Sequence, residues 1–328
     1  MVSYQQVNLL KVVILSKGYD AMKVLVLGGN GFIGSHVVDQ LLKSGHKVRV
    51  FDRSPEKYRS PLNSVDYRLA AFENIPALAE ALEGIDVVCH LISTTVPSTS
   101  NLDPISDVEG NLINTLRLLH LMVQKGVTRI VYLSSGGTVY GIPDVIPIPE
   151  THPLKPVCSY GVVKVAIENY LHMFGLLHGV KYCVLRASNP YGERQGHSGV
   201  QGVIGTFSAK MLAGEAIEIW GDGTVVRDFI HVSDLANICV RACESSIETV
   251  INVGSGIGHS INEIISTLEK VSGTTAQVTY KNSRSYDVPE VVLDISKARI
   301  GFDWNPVVDI ESGIGLNWKW FLDVVRAS

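Results

Sequence analysis

The chain has 328 residues, of which 46% are apolar, so it can bury a large core and exceeds the length of one average domain. Its net charge of −4 and its pI near 6.2 give no general attraction to nucleic acid or to an anionic membrane. The five cysteines form no CxxC pair and have no histidine at ligand spacing, which predicts buried thiols in a reducing cytoplasm and no metal site.

The start of the chain does not read as a membrane or signal segment. Residues 1–21 contain a short, interrupted apolar stretch, and the longest apolar runs elsewhere fall well short of the roughly 20 residues that span a membrane. We therefore expect no membrane insertion. A buried-strand pattern begins directly after Met22, so we predict that residues 1–21 are an extension and that Met22 is the functional start.

Strands and helices alternate along the first half of the chain. Apolar runs predict strands and amphipathic segments that end in glycine predict helices, in the order strand 23–27, helix 32–44, strand 48–51, helix 75–83, strand 86–92, helix 111–125 and strand 129–134. This alternation predicts an α/β fold with a doubly wound parallel sheet of the Rossmann type. Five prolines between residues 143 and 156 predict a loop that passes over the sheet.

The later part of the chain is less regular and richer in glycine and polar residues. We predict a nucleotide-binding domain at 22–185, which includes the helix around residue 160. Residues 186–328 are predicted to form a smaller α+β domain that contributes substrate contacts and returns some segments to the large sheet.

A glycine-rich turn joins the first predicted strand to the first predicted helix. Its glycines are spaced GxxGxxG rather than GxGxxG, and a plain tight turn is the alternative interpretation. Because the turn opens a helix, its backbone N–H groups can face a pyrophosphate, and the small residues allow close approach. The residues that we assign to dinucleotide binding here are Gly28, Asn30, Gly31, Phe32, Ile33 and Gly34.

Asp52 lies 18 residues beyond Gly34, at the end of the second predicted strand. A carboxylate at that place can accept hydrogen bonds from both ribose hydroxyls and would repel a 2′-phosphate, which favours NAD as the cofactor. The neighbouring Arg53 keeps NADP open, because a guanidinium could pair with that phosphate.

Tyr160 and Lys164 are four residues apart on a predicted helix, so they share one face. An ammonium beneath a phenol favours the phenolate, which predicts a proton acceptor for an alcohol. Holding a tyrosine ionised near pH 7 takes roughly 4 kcal/mol, which Lys164 and a positive nicotinamide ring together could supply. The alternative is an incidental surface pair.

Four motifs in chain order resemble the extended short-chain dehydrogenase/reductase superfamily and, within it, the UDP-hexose 4-epimerases. They are the glycine turn, SSGGTVYG at 134–141, YGVVK at 160–164 and NPYG at 189–192. The resemblance covers nearly all of the chain from Met22 onward. It implies an isomerase with tightly held NAD that inverts C4 of a UDP-hexose through a transient 4-keto sugar and supplies sugars for polysaccharide biosynthesis.

The resemblance also implies residue roles by position. Leu91 and Asn111 are expected to contact NAD. The residues expected to contact the UDP-sugar are Asn189, Val203, Trp220, Arg227, Arg284, Asp287 and Val291. The two arginines suit a diphosphate, although either could be a surface ion-pair partner. The family dimerises through two helices of each subunit, here 111–125 and the Tyr160 helix, which implies a homodimer.

One position departs from the family pattern. Gly136 stands where the family has a Ser or Thr that hydrogen-bonds the sugar hydroxyl and the tyrosine. Side chains two apart on an extended chain share a face, so we expect Thr138 to take this role, with Ser135 as the nearest other hydroxyl.

The same fold also supports activities other than epimerisation. Related dehydratases carry an Asp-Glu pair where this chain has Gly137 and Thr138, which argues against elimination. An NAD(P)-dependent sugar-nucleotide dehydrogenase with net redox and a catalytically silent NAD-binding protein remain as alternatives. Val291 aligns where epimerases restricted to glucose and galactose can carry a tyrosine, so its small side chain favours acceptance of UDP-N-acetylhexosamines as well.

Overall fold

A parallel sheet of seven strands forms the centre of the computed structural model, which describes residues 21–196, 202–282 and 288–327. The strands are β1 (Lys23–Leu27), β2 (Lys47–Asp52), β3 (Val65–Leu69), β4 (Val87–His90), β5 (Arg129–Ser135), β6 (Lys181–Ala187) and β10 (Thr249–Val253). Their order across the sheet is β3-β2-β1-β4-β5-β6-β10. The prediction of a doubly wound sheet is confirmed. The strand order reverses between β1 and β4, where such folds place ligands at the carboxyl ends of the strands.

Helices cover both faces of this sheet. Apolar side chains of α1 (Phe32–Lys43), α7 (Val232–Glu244) and α9 (Ser296–Phe302) form the core on one face. Those of α2 (Ile75–Ala81), α4 (Asn114–Lys125) and α5 (Ser159–His178) form the core on the other. The strand β1 is buried on both faces, since Val24, Leu25, Val26 and Leu27 are each 0% exposed. This is why its sequence is a continuous apolar run rather than an alternating one.

A smaller lobe is built from the later part of the chain. Three helices, α6 (Val203–Ala213), α8 (Ile261–Ser272) and α10 (Ile310–Ala327), enclose a separate apolar core. The strand β9 (Val226–His231) pairs with β7 (Asn189–Tyr191), β11 (Gly258–Ser260) and β13 (Glu290–Val291), and β8 (Ile217–Trp220) pairs with β12 (Val278–Lys281). The chain returns to the large sheet with β10, which pairs with β6.

Two local elements differ from the sequence prediction. The edge strand β3 was not expected, because only Val65 of its five residues is buried and its remaining residues are polar or exposed. The predicted helix 111–125 instead begins as α3 (Pro104–Asp107), passes through a π-helical segment (Val108–Ile113) and continues as α4. Asn111 therefore lies in the π-helical segment, a geometry that hydrophobic periodicity does not reveal.

The five cysteines are all free thiols, and four of them are buried. Among the described residues, no group of three or more His, Cys, Asp or Glu side chains is arranged to hold a metal ion. No helix in the described ranges combines the length and the apolar character that a membrane crossing requires.

Candidate active site

The glycine turn after β1 brings α1 directly onto the strand. Gly28 has a φ of +83°, which favours glycine, and a Cβ at Gly34 would lie 2.0 Å from the carbonyl oxygen of Gly28. Gly31 precedes α1 and offers no side-chain acceptor to the first N–H groups of the helix. Phe32 and Ile33, the first two residues of α1, are half-buried. The turn is thus a cradle of backbone donors that fits a pyrophosphate.

The carboxylate of Asp52 is held beside this cradle, at the end of β2. Its Oδ2 accepts a hydrogen bond from the Asn30 backbone N–H (3.1 Å), and its Oδ1 accepts one from the Ser54 backbone N–H (3.0 Å). The Asn30 side chain donates to the Ser54 carbonyl (2.7 Å), while its buried Oδ1 has no hydrogen-bond partner among the described residues. Arg53 is exposed next to Asp52. This arrangement fits a ribose at the carboxylate.

We predict that Gly34→Ala removes bound cofactor. The added methyl would collide with the Gly28 carbonyl, and relieving such overpacking costs about 1–3 kcal/mol and shifts the backbone donors of the turn. The purified variant should carry no NAD, as measured by enzymatic assay of the denatured protein. Gly301→Ala is the matched control, because a Cβ there has no atom of the described residues within 4 Å. A full complement of NAD in the Gly34 variant would contradict this interpretation of the turn.

The loop that follows β4 supports the start of α5. The Tyr160 backbone N–H donates to Ser100 Oγ (3.1 Å), and the Ser159 N–H donates to Asn101 Oδ1 (2.8 Å). Leu91 begins this loop, and its N–H donates to the Leu27 carbonyl at the end of β1 (3.0 Å). The tyrosine is therefore fixed close to the strand ends that carry the glycine turn.

Lys164 lies one turn after Tyr160 and is only 5% exposed. Its Nζ donates to the Leu133 carbonyl of β5 (2.9 Å) and lies 5.3 Å from the ring centroid of Tyr160 and 4.8 Å from that of Tyr132. Burial lowers the pKa of Lys164 to about 8, and the charges of Glu168 and Asp107 oppose this fall. The ammonium therefore sits beneath the phenol ring, as the spacing predicted.

Tyr160 is half-buried, and the desolvation of its phenol raises its pKa to about 12. A hydrogen bond with the Ser93 hydroxyl lowers the pKa, while negative charge at Asp107 raises it. The protein's own residues therefore favour a neutral phenol, and ionisation near neutral pH requires further positive charge close to the ring.

The structure explains the glycine at position 136. A Cβ there would lie 2.5 Å from Leu293 Cδ1 and 2.9 Å from the Arg186 carbonyl oxygen, so the Leu293 side chain and this carbonyl leave no room for a Ser or Thr. Thr138 lies against α5, because a Cβ at Gly161 would be 2.7 Å from the Thr138 carbonyl oxygen. Its Oγ1 is buried and has no hydrogen-bond partner in the described part of the chain. Ser135 is half-buried at the end of β5.

Asn111 is brought to this site, but its side chain is engaged by the protein. Its Oδ1 accepts from the Thr94 N–H (2.8 Å), and its Nδ2 donates to Thr95 Oγ1 (3.2 Å) and Asp107 Oδ1 (2.9 Å). Its contribution to a cofactor site is therefore to hold the loop after β4. Ser93 and Asp107 were missed by the sequence analysis. Neither residue lies in one of the four motifs.

Of the residues assigned to the sugar nucleotide, those that the structure describes lie in the smaller lobe. Val291 of β13 pairs with Arg227 of β9; Val291 is 3% exposed, and Arg227 is half-buried. Asn189 of β7 donates through Nδ2 to the Asp228 carbonyl of the same sheet (2.9 Å). Val203 is the half-buried first residue of α6, and Trp220 lies on the separate β8–β12 pair with 47% exposure. Arg284 and Asp287 lie outside the described residues.

The fold and the site together define an NAD-binding α/β enzyme with a Tyr/Lys pair. The family model of the NAD dependent epimerase/dehydratase family matches residues 24–254. A putative UDP-glucose 4-epimerase of Methanocaldococcus jannaschii is 34% identical over 299 residues, which cover 90% of this chain and 97% of the relative. The chain belongs to the NAD dependent epimerase/dehydratase family.

Solved structures agree with this assignment. A UDP-glucose 4-epimerase of Thermotoga maritima with UDP-glucose superposes with a TM-score of 0.88 at 35% identity and covers 93% of this chain and 100% of its own. A UDP-glucose 4-epimerase of Thermus thermophilus in complex with NAD has a TM-score of 0.86 at 33% identity, and the match covers 92% of this chain and 99% of that structure. A UDP-N-acetylglucosamine 4-epimerase of Methanobrevibacter ruminantium in complex with UDP-N-acetylmuramic acid superposes with a TM-score of 0.87 at 29% identity. The match covers 93% of this chain and 99% of that structure. The predictions of an extended short-chain dehydrogenase/reductase fold and of NAD as cofactor are confirmed.

Proposed function

We propose that this protein is an NAD-dependent isomerase that inverts C4 of a UDP-hexose. The observation that carries the proposal is the half-buried Tyr160 above the buried Lys164, at the strand ends that also hold the glycine turn and Asp52. The curated UDP-glucose 4-epimerases at 31–34% identity over about nine-tenths of the chain support the same reaction.

The glycine turn and Asp52 would hold NAD, with the pyrophosphate at the start of α1 and a ribose at the carboxylate. Bound NAD supplies reversible oxidation at C4 of the sugar and, in its oxidised form, a positive charge near the tyrosine. The protein's contribution is to position the sugar and to move one proton.

Tyr160 is the residue that takes the proton from the sugar 4-hydroxyl and later returns it. Burial raises the pKa of Tyr160 to about 12. The positive charges of oxidised NAD and of Lys164 oppose this rise, because both favour the phenolate. We assign the hydroxyl of Thr138, which has no hydrogen-bond partner among the described residues, to hydrogen-bond the reacting hydroxyl, with Ser135 as the alternative. Neither residue has a carboxyl group for elimination of water.

The rate should fall above about pH 8 because Lys164 loses its proton there. Its folded-state pKa of about 8 is below the ordinary value of 10.5, so the ammonium is present below that pH and lost above it. Without the ammonium the phenolate is less favoured, and kcat decreases. In Lys164→Arg the charge persists at all accessible pH values, so the basic limb of the pH–rate profile should disappear whatever the residual rate. A variant that keeps the basic limb would contradict the assignment.

The smaller lobe would bind the UDP moiety. Arg227 and Arg284 are suited to the diphosphate, Asn189 to a phosphate or sugar oxygen, and Asp287 to the uridine ribose. Val203 and the partly exposed indole of Trp220 would contact the uridine side. The small side chain of Val291 supports acceptance of a 2-N-acetyl group.

The protein would act as a cytoplasmic homodimer in the synthesis of sugars for polysaccharides. Support for the dimer comes from apolar side chains on the outer surfaces of α4 and α5, where Val123, Val162, Met173, Leu176 and Leu177 are exposed. Such side chains suit a four-helix contact between two copies.

The test is incubation of the purified protein, without added cofactor, with UDP-glucose and separately with UDP-N-acetylglucosamine. Anomeric-proton NMR should show the galacto-configured product from each substrate, with no net NADH. Absorbance at 340 nm is recorded on the same samples. Accumulation of NADH in proportion to an oxidised sugar would replace this proposal with a dehydrogenase, and failure of both UDP-hexoses in a protein that carries NAD would overturn it.

A further inference from the structure

Asp107 is a fully buried carboxylate beside the Tyr160–Lys164 pair, and the roles assigned above do not use it. It is 0% exposed and ends α3, directly before the π-helical segment. A buried carboxylate is costly unless donors satisfy its oxygens. Its donors therefore indicate what it holds in place.

Three side chains from three segments donate hydrogen bonds to this carboxylate. They are Thr95 Oγ1 (2.6 Å) and Asn111 Nδ2 (2.9 Å), which donate to Oδ1, and Ser159 Oγ (2.7 Å), which donates to Oδ2. Thr95 belongs to the loop after β4, which also carries Ser93, and Ser159 directly precedes Tyr160 at the start of α5. Asp107 thus holds the loop that carries Ser93 and the start of the helix that carries Tyr160 at one buried carboxylate.

The carboxylate also acts on the pair through its charge. Burial lowers the pKa of Lys164 to about 8, and the charges of Glu168 and Asp107 oppose this fall. Burial raises the pKa of Tyr160 to about 12, and Asp107 adds to this rise. Asp107 therefore favours the protonated form of both groups.

We propose that Asp107 is a positioning residue for the Tyr160–Lys164 pair: it fixes the start of α5 through Ser159 and supplies the negative charge that balances the buried ammonium. This inference deepens the proposed function and rests on Tyr160 acting as the base. An epimerase must return the proton to the sugar oxygen as readily as it takes it. A carboxylate that opposes permanent loss of the proton from the pair serves that return.

Other ionisable groups around the pair come from three elements. They are Cys158, just before α5, Glu168 on α5, Tyr132 on β5 and His90 on β4. Burial lowers the pKa of His90 to about 3 and raises that of Tyr132 well above its usual value, so both are neutral throughout the working range. Asp107 and Glu168 are the anionic groups that act on Lys164.

The substitution Asp107→Asn tests the charge of Asp107 separately from its hydrogen bonds. The asparagine Oδ1 can accept from Thr95 and Asn111, and its Nδ2 can donate to Ser159 Oγ. The three hydrogen bonds can therefore persist without the charge. Both limbs of the kcat profile for UDP-glucose, measured from pH 5.5 to 10, should move to lower pH by about one unit. The ratio of variant to wild-type rate should therefore rise as the pH falls, which a general loss of structure would not produce.

Ser159→Ala removes one hydrogen bond to Asp107 and leaves the charge of Asp107 in place. It should lower kcat by about 10-fold or more, because a small displacement of a reacting group is costly, without moving the pH limbs. Asp103→Asn, on the exposed N-cap of α3, is the control and should change neither kcat nor the profile. A wild-type profile in the Asp107 variant, or wild-type kcat in the Ser159 variant, would overturn the inference. Absence of epimerisation in the wild-type protein would instead overturn the proposed function.

Discussion

Replacing Tyr160 with phenylalanine is expected to lower kcat for epimerisation by about 10³- to 10⁴-fold, which is the contribution of a positioned acid–base group. The substitution removes the phenolic oxygen and leaves the ring in place above Lys164 Nζ, 5.3 Å away in the wild-type protein. The phenol of Tyr132, whose ring centroid lies 4.8 Å from the same ammonium, is not expected to replace it, because burial raises the pKa of Tyr132 well above its usual value. The bound NAD and the KM for UDP-glucose should change little, because the loss falls on the proton transfer rather than on binding.

Tyr170→Phe is the matched control for this experiment. Tyr170 lies on the same helix, more than one turn beyond Lys164, and is half-buried. Its kcat should equal that of the wild-type protein within about twofold, as expected for a position outside the chemistry. A Tyr160 variant that retains more than about a tenth of the wild-type rate would show that another group takes the proton.

The second large effect is expected on stability, from the buried ion pair between Arg186 of β6 and Glu168 of α5. Arg186 donates to both carboxylate oxygens of Glu168, with Nη2 2.6 Å from Oε2, and both side chains are 6% exposed. Ser134 donates to the same carboxylate (2.5 Å), and Arg186 Nη1 donates to Tyr140 OH (3.0 Å). The pair therefore connects the large sheet to the helix that carries the tyrosine.

Arg186→Met should destabilise the protein by about 3–5 kcal/mol, because it leaves a buried carboxylate without its partner. The measurement is the urea midpoint of the holoenzyme, followed by circular dichroism. The double variant Arg186→Met with Glu168→Gln removes both charges and should recover part of the loss. Lys270→Met, which breaks the exposed pair with Glu311, should cost less than about 1 kcal/mol. Equal effects for the buried and the exposed pair would contradict this account.

The cofactor half of the site could be predicted from sequence because its signals are local. The glycine turn and Asp52 are set by the strand and helix that flank them, and the structure places them beside each other as expected. Tyr160 and Lys164 share a face because they lie on one helix. Predictions within one or two elements need only periodicity and spacing.

The parts that sequence did not reveal depend on contacts between distant segments. Gly136 departs from the family pattern because Leu293, far along the chain, occupies the space that a side chain would need. Ser93 reaches the tyrosine from a loop and Asp107 from the end of a four-residue helix, neither of which has a periodic signature. The choice between Thr138 and Ser135 stays a prediction that a substitution of each must decide.

We propose that C4 of the sugar is oxidised and then reduced with the same hydrogen atom, so that the reaction has no net redox change. The most direct measurement uses UDP-glucose deuterated at C4, incubated with the protein without added cofactor in ordinary water. The account predicts UDP-galactose that retains its deuterium at C4, as observed by NMR and mass spectrometry. Product with hydrogen at C4, taken from solvent, would show removal of a proton from carbon and would contradict the account.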